Sequence, residues 1–162
     1  MLAGLVVVLH VLAVFLLVGG IVARDTLYGR AARSDDLAAI AGLVANGALF
    51  EGLVRASSGA VLVLGLAAAA ARGWPILGFL QGAPVNWVLA ALLIYLTIIP
   101  LIVFVFLPRG RVFRRVFEEA QAAGRMTPEL RAALNDPVVN AARTWEIVMI
   151  VVLTALMVLR PF

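Results

Sequence analysis

Residues 2–23 read LAGLVVVLHVLAVFLLVGGIVA, an uncharged and almost wholly apolar run. A bilayer core about 30 Å thick needs about 20 helical residues to cross it, so this run predicts a membrane-spanning helix. It is long for the apolar part of a signal peptide, and no basic residue precedes it. We therefore expect a retained spanning helix rather than a cleaved leader.

Three further apolar runs predict three more crossings, at about residues 51–71, 85–107 and 143–160. We expect residues 34–50 to form a cytoplasmic or interfacial helix that continues into the second crossing. Pro100 predicts a kink in the third, because proline removes a backbone hydrogen bond.

Composition agrees with a membrane location. The chain of 162 residues is 64% hydrophobic and 14% charged, whereas soluble domains are about 25% charged. The predicted fold class is all-α, a single integral membrane domain (1–162) built as a four-helix bundle.

The arginines predict the orientation of the bundle. All 13 basic residues are Arg, and all but Arg72 and Arg160 lie in or beside the loops 24–50 and 108–142. The positive-inside rule places these two loops in the cytoplasm, the loop 72–84 outside, and both termini outside. The bias towards Arg, Ala and Gly is typical of a bacterial protein, so we expect the bacterial inner membrane.

Several chemistries are excluded by absent residue types. The chain has no Cys and one His, which excludes disulfides, thiolate sites and a multi-His metal cluster within one chain. It has no Lys, which excludes a Schiff base and a Walker A loop. These absences favour a non-enzymatic protein without a metal site. The basic charge lies beside apolar runs, so we expect no nucleic-acid partner.

The long loop 108–142 has helical patterns of its own. Residues 109–123 predict a basic helix whose arginines face anionic lipid headgroups at the cytoplasmic side. Gly124 predicts its end. Thr127 and Pro128 predict the start of a short helix, as N-cap and first helical residue.

Two polar sets are candidate sites. The first lies near the bilayer midplane, where polar groups are costly and usually face the bundle interior. Its members are His10, Tyr95, Thr97 and Thr154. His10 is a candidate haem ligand, proton relay or simple hydrogen-bond partner of Tyr95 or of a backbone carbonyl. The second set is an inner-interface charge cluster that forms either a gate or ion site, or a neutralised network at the helix ends. Its members are Glu51, Arg55, Arg143 and Glu146.

Aromatic residues mark the predicted membrane interfaces. Trp74 and Trp87 stand at the two ends of the loop 72–84, and Trp145 stands on the other side. Tryptophan is enriched at both interfaces of membrane proteins. We therefore expect all three to anchor the bundle rather than to contact a ligand.

Two short stretches carry a resemblance. Leu9-His10-Val11 with Gly19-Gly20, and residues 127–131 with Asp136-Pro137, resemble bacterial four-helix membrane proteins of unknown function that are CopD-like. The wider group includes copper-resistance protein D and the HemJ-type protoporphyrinogen oxidases. The resemblance implies a haem or metal role for His10. This chain has no Lys and fewer His and Met than those relatives, so oxidase activity and copper transport are not implied.

Three functions follow as alternatives. The first is a non-enzymatic membrane protein that moves or senses a small molecule or ion at the midplane site. The second is a membrane redox protein that binds haem b through His10, within one chain or across a homodimer. The third is a structural or accessory subunit without a ligand.

Overall fold

The computed structural model describes residues 2–161 and is all-helical, with 86% helix and no strand in that range. The α-helices are α1 (Leu2–Arg33), α2 (Leu37–Ala71), α3 (Trp87–Leu96), α4 (Ile98–Leu101), α5 (Leu107–Ala123), α6 (Pro128–Leu134) and α7 (Pro137–Leu159). A 3₁₀ turn covers Gly78–Gln81, and a π-helical segment covers Ile102–Phe106.

Four helical stretches are long and apolar enough to cross a membrane: Leu2–Arg33, Leu37–Ala71, Trp87–Ala123 and Pro128–Leu159. Only 17% to 28% of the residues in their most apolar windows are buried inside the protein. Lipid is the solvent that suits such outward apolar surface. The predicted all-α membrane class is confirmed.

Two helices, α1 and α7, run further along the sequence than the crossings predicted for them, and the helix expected over residues 34–50 does continue into the second crossing. α1 continues beyond residue 23 because no proline or other strong helix breaker occurs before Arg33. α2 is one helix from Leu37, and the Asp36 side chain accepts from the Ala38 amide at 2.9 Å. α7 begins at Pro137, and Asp136 accepts from the Val138 amide at 2.9 Å. Acidic N-caps thus mark the starts of α2 and α7.

The third apolar run is irregular around Pro100. Regular helix is interrupted at Thr97 and again over Ile102–Phe106. The Thr97 hydroxyl and the Thr97 amide both donate to the Ile94 carbonyl, at 2.7 Å and 3.1 Å. Proline has no amide hydrogen, so the hydrogen-bond pattern of the helix shifts around it.

The turn between α5 and α6 follows its predicted chemistry. Gly124 ends α5 in the left-handed conformation, with φ of 65°. Thr127 caps α6 by accepting from the Leu130 amide at 3.2 Å, and Pro128 is the first helical residue. Both predictions for this turn are confirmed.

The chain divides into two compact units. The first unit contains the residues up to Gly20, Gly52–Thr97 and the residues from Ile147 onward. The second unit contains Ile21–Glu51 and Ile98–Glu146. The second unit has a small core from α1, α2, α5 and α6, formed by Ala31, Ile40, Val116, Ala120, Leu130 and Leu134.

Candidate functional site

His10 is buried on α1 and bonded to the backbone of α2. Its Nδ1 atom lies 3.1 Å from the Val61 carbonyl oxygen. A carbonyl oxygen only accepts, so Nδ1 carries the hydrogen and donates it. This bond assigns the tautomer of a neutral His10, since Nε2 then carries the lone pair.

The Nε2 atom of His10 makes no hydrogen bond to any residue that the structure describes. The ring bonds Val61 through Nδ1 alone among residues 2–161. Over the same residues, no buried side-chain nitrogen or oxygen lacks a hydrogen-bond partner. Nε2 therefore keeps some accessible surface. An accessible imidazole lone pair among apolar residues is a ready acceptor for a proton or a metal.

Gly65 makes room for the imidazole ring. A Cβ atom at this position would lie 3.0 Å from Cε1 of His10 and 3.3 Å from Nδ1. The absence of a side chain therefore permits the ring to lie close against α2. A glycine here has a packing role rather than a conformational one.

Gly65→Ala is expected to push the His10 ring away and to break the bond to Val61. Hydrogen bonds between membrane helices are worth about 1 kcal/mol, and we expect that loss in the free energy of unfolding. Reversible unfolding in mixed micelles measures it. Gly59→Ala is the matched control, because a Cβ atom there meets nothing within 4 Å. Equal stability of the two variants would contradict the packing role.

Tyr95 on α3 also bonds to α2. Its hydroxyl donates to the Ser58 carbonyl oxygen at 2.7 Å. The Ser58 hydroxyl lies 2.5 Å from the Tyr95 oxygen and donates to it, since the Tyr95 hydrogen is already used. Tyr95 is thus held by a closed pair of hydrogen bonds.

One face of α2 collects both predicted midplane residues. Ser58, Val61 and Gly65 are spaced three and seven residues apart, which places them on one helix face. His10 and Tyr95 attach at positions that differ by about 4.5 Å along the axis of α2. Both residues are therefore bonded to α2, and no hydrogen bond joins them to each other among residues 2–161.

The two threonines of the predicted midplane set bond to their own helices. Thr97 donates to the Ile94 carbonyl at 2.7 Å, and Thr154 donates to the Ile150 carbonyl at 2.8 Å. Thr154 is exposed. Its hydroxyl is therefore satisfied on the outward surface of α7.

The second unit holds a buried network of ion pairs. Arg24 donates through Nη2 to Glu146 Oε2 at 2.6 Å and through Nε to Asp25 Oδ1 at 2.9 Å. Nε of Arg143 lies 3.6 Å from the same Asp25 oxygen. The side chains of Arg24 and Glu146 are only 7% and 6% exposed. Two cations and two anions make the network neutral, which lowers the cost of burying it.

Tyr28 packs against this network. The Arg143 guanidinium carbon lies 4.7 Å from the centroid of the Tyr28 ring, a cation–π contact. The ring meets Phe113 edge-on, with centroids 6.1 Å apart. A Cβ atom at Gly47 would lie 3.1 Å from the ring, so α2 approaches it closely. Tyr28 therefore links the network to the aromatic side chains of α5.

The structure brings together only part of the predicted charge cluster. Arg143 and Glu146 belong to the network, whereas Glu51 and Arg55 form no ion pair within residues 2–161. Arg24 and Asp25 were missed, because the sequence was interpreted as a loop from residue 24. The available signal was the absence of a helix breaker after residue 23. No group of three or more His, Cys, Asp or Glu in the described part of the chain is placed to hold a metal ion.

These observations define an all-α integral membrane protein with four helical stretches that are able to span a bilayer. Residues 4–161 match the family described as "Predicted integral membrane protein (DUF2269)". The chain belongs to this family, whose function is unknown. No curated protein and no solved structure matches the chain.

Proposed function

We propose that the protein is a non-enzymatic membrane protein that moves or senses a small ion at His10. One observation carries this proposal: Nδ1 of His10 donates to Val61, and Nε2 keeps its lone pair, some exposed surface and no hydrogen-bond partner among residues 2–161. An ionisable residue within a spanning helix is expensive to keep and is by default a candidate for function.

The proton is the ion that this geometry suits best. A single imidazole nitrogen takes one proton without the several ligands that a larger cation needs. The hydroxyl pair of Tyr95 and Ser58 meets the same face of α2, and it would pass on a proton by breaking one of its two hydrogen bonds and exchanging the hydrogens. His10 is the group that would gain the charge, and the hydroxyl pair would support its transfer.

Proton entry into liposomes tests the proposal. Protein is reconstituted with a trapped pH-sensitive dye, and a potassium gradient with valinomycin drives protons inward. We expect wild-type protein to acidify the interior faster than empty liposomes do, and His10→Ala to return the rate to that of empty liposomes. Gly59→Ala is the control and should behave as wild type. Equal rates for wild type and His10→Ala would contradict the proposal.

A haem-binding redox function is the second candidate, and the same nitrogen favours it. Histidines that bind metals usually donate their other ring hydrogen to a carbonyl or carboxylate, as Nδ1 does here to Val61. The resemblance to CopD-like and HemJ-type proteins supports the same role for His10. In this function Nε2 would hold the iron of haem b, either within one chain or with the His10 of a second copy.

An absorption spectrum separates the two candidates. Protein is purified in detergent from cells supplied with haem, wild type beside His10→Ala. A Soret band that is lost in the variant would favour the haem function. A spectrum without that band, together with proton entry that depends on His10, would favour the proton function. Failure of both experiments would favour a structural or accessory subunit in which His10 only joins two helices.

The proposal also includes the membrane location of the protein and a contact with lipid headgroups. We place the protein in the bacterial inner membrane with both termini outside, on the strength of the arginine distribution. We also propose that the basic half of α5 contacts anionic lipid headgroups. Arg111 and Arg114 are exposed there and have no ion-pair partner among the residues the structure describes, which supports this contact.

A further inference from the structure

Two arginines and two tryptophans meet in the first unit. The Trp74 and Trp87 rings pack edge to face, with centroids 5.1 Å apart. The Arg160 guanidinium carbon lies 4.6 Å from the Trp74 centroid and 5.5 Å from the Trp87 centroid. The Arg72 guanidinium carbon lies 5.9 Å from the Trp74 centroid. Trp74 is therefore within cation–π distance of two separate cations. We call these four residues the Trp–Arg cluster.

The end of α2 explains the positions of Arg72 and Trp74. Gly73 adopts the left-handed conformation with φ of 69°. Its amide donates to the Ala70 carbonyl at 3.0 Å, and the Trp74 amide donates to the Ala69 carbonyl at 2.9 Å. These two bonds form a Schellman motif. The motif reverses the chain and places Arg72 and Trp74 on either side of the glycine.

The end of α7 has an arginine at the position where glycine is usual. Arg160 takes the left-handed position after the helix, with φ of 46°, and its amide donates to the Leu156 carbonyl at 3.0 Å. Glycine is the residue that this position favours, because a Cβ atom is strained there. An arginine at a position that favours glycine indicates that its side chain makes contacts which offset the backbone strain. Its guanidinium lies over the Trp74 and Trp87 rings, and its Nε donates to the Met157 carbonyl at 3.4 Å, which leaves the two Nη groups as free donors.

The first unit contains no side-chain carboxylate to neutralise the cluster. All nine acidic residues of the chain lie within Ile21–Glu51 and Ile98–Glu146, the ranges of the second unit. Arg72 and Arg160 are both exposed. Stacking on a ring leaves the N–H groups at the edge of a guanidinium available as donors. The cluster thus holds two positive charges that no Asp or Glu of the first unit can pair.

We propose that the Trp–Arg cluster binds a phosphate group, carried either by a phospholipid headgroup or by a soluble phosphate ester. Two guanidiniums supply the planar pairs of N–H donors that phosphate oxygens accept. Tryptophan is enriched at the level where lipid headgroups begin, which suits the cluster to a headgroup phosphate. Arg72 and Arg160 are also the two arginines that the topology places apart from the other eleven. This site is independent of the function proposed for His10.

Tryptophan fluorescence tests the site directly. The protein is purified in a maltoside detergent without phosphate, and Trp145→Phe is introduced so that only Trp74 and Trp87 report. Three probes are titrated: phosphatidylglycerol in mixed micelles, soluble glycerol 3-phosphate, and uncharged diacylglycerol. The test variant is Arg72→Gln/Arg160→Gly, and the control variant is Arg30→Gln/Arg33→Gln, which removes two exposed arginines of α1.

We expect a saturable change of emission with a phosphate-bearing probe and none with diacylglycerol. The test variant should bind about tenfold more weakly or worse, because each hydrogen bond to a charged group contributes strongly. The control variant should bind as wild type. A response to phosphatidylglycerol alone identifies a lipid headgroup as the ligand. A response to glycerol 3-phosphate of similar strength identifies a soluble phosphate ester.

Three results would overturn the proposal: no response to either phosphate probe, an equal response to diacylglycerol, or wild-type affinity in the test variant. The single variant Arg160→Gly shows whether weaker binding could result from misfolding. Glycine suits the left-handed position, so the end of the helix should remain intact. This single variant should melt at or above the wild-type temperature and still bind the phosphate probe more weakly.

Discussion

Glu146→Leu is expected to lower the free energy of unfolding by about 3–5 kcal/mol, because it leaves the buried cation of Arg24 short of a partner. Glu146 accepts from Arg24 at 2.6 Å, and both side chains are almost fully buried. Asp25 cannot replace the lost charge, because Arg24 and Arg143 already share it. Reversible unfolding in mixed micelles measures the loss.

A double variant separates the charge from the packing. Arg24→Leu/Glu146→Leu removes both charges and should recover much of the lost stability, since apolar pairs often replace buried ion pairs without loss. Glu119→Leu is the matched control. Glu119 is 63% exposed and pairs with Arg115 one turn away on α5, so its loss should cost less than about 0.5 kcal/mol. A Glu146 variant no less stable than this control would show that the pair is not buried as described.

Leu130→Ala is expected to lower the free energy of unfolding by about 2–5 kcal/mol, the usual cost of truncating a buried leucine. Leu130 is fully buried in the core of the second unit, beside Ile40 and Ala120. The variant leaves a cavity in a core that has few large side chains to fill it. The same unfolding measurement in mixed micelles gives the value.

Leu49→Ala provides the control for that variant. Leu49 lies on α2 in the same unit and is 72% exposed, so its side chain packs little within the protein. Its loss should change stability by less than about 0.5 kcal/mol. Similar losses in the Leu49 and Leu130 variants would show that this core does not stabilise the second unit.

The spanning helices were predictable because a bilayer imposes a simple rule on length and apolarity. Residues 2–23 satisfy this rule without ambiguity, and α1 contains them. The same rule gives no information about where a helix ends beyond the apolar run. α1 continues to Arg33 because no proline ends it, and α7 starts at Pro137 because Asp136 caps it; hydropathy measures neither effect. The caps at Gly124 and Thr127 were predictable, since their signal is local.

The sequence predicted two residues of the candidate site but not the groups to which they bond. His10 and Tyr95 stood out as polar residues in apolar runs, and both are buried. Both bond to backbone carbonyl oxygens of α2, and the pattern of side chains in a sequence does not predict bonds to the backbone. Gly65 makes room for the His10 ring, and a glycine within an apolar run gives no signal of such a contact. Arg24 was missed because a loop was predicted from residue 24, and its pairing with the distant Glu146 leaves no signal in sequence spacing, which pairs only near neighbours on one helix.

Nitrogen-15 NMR of the single histidine tests the central claim most directly, namely that Nε2 of His10 is an open acceptor. The chain contains one His, so labelled histidine gives two ring-nitrogen signals, and their couplings to the ring hydrogens on Cδ2 and Cε1 distinguish Nδ1 from Nε2. We predict, at a pH where the ring is neutral, a protonated Nδ1 and an unprotonated Nε2 without a hydrogen bond. Gly65→Ala should disturb this pattern, and Gly59→Ala should preserve it. A neutral ring with its hydrogen on Nε2, or an Nε2 signal already shifted by a hydrogen bond within the protein, would contradict the account.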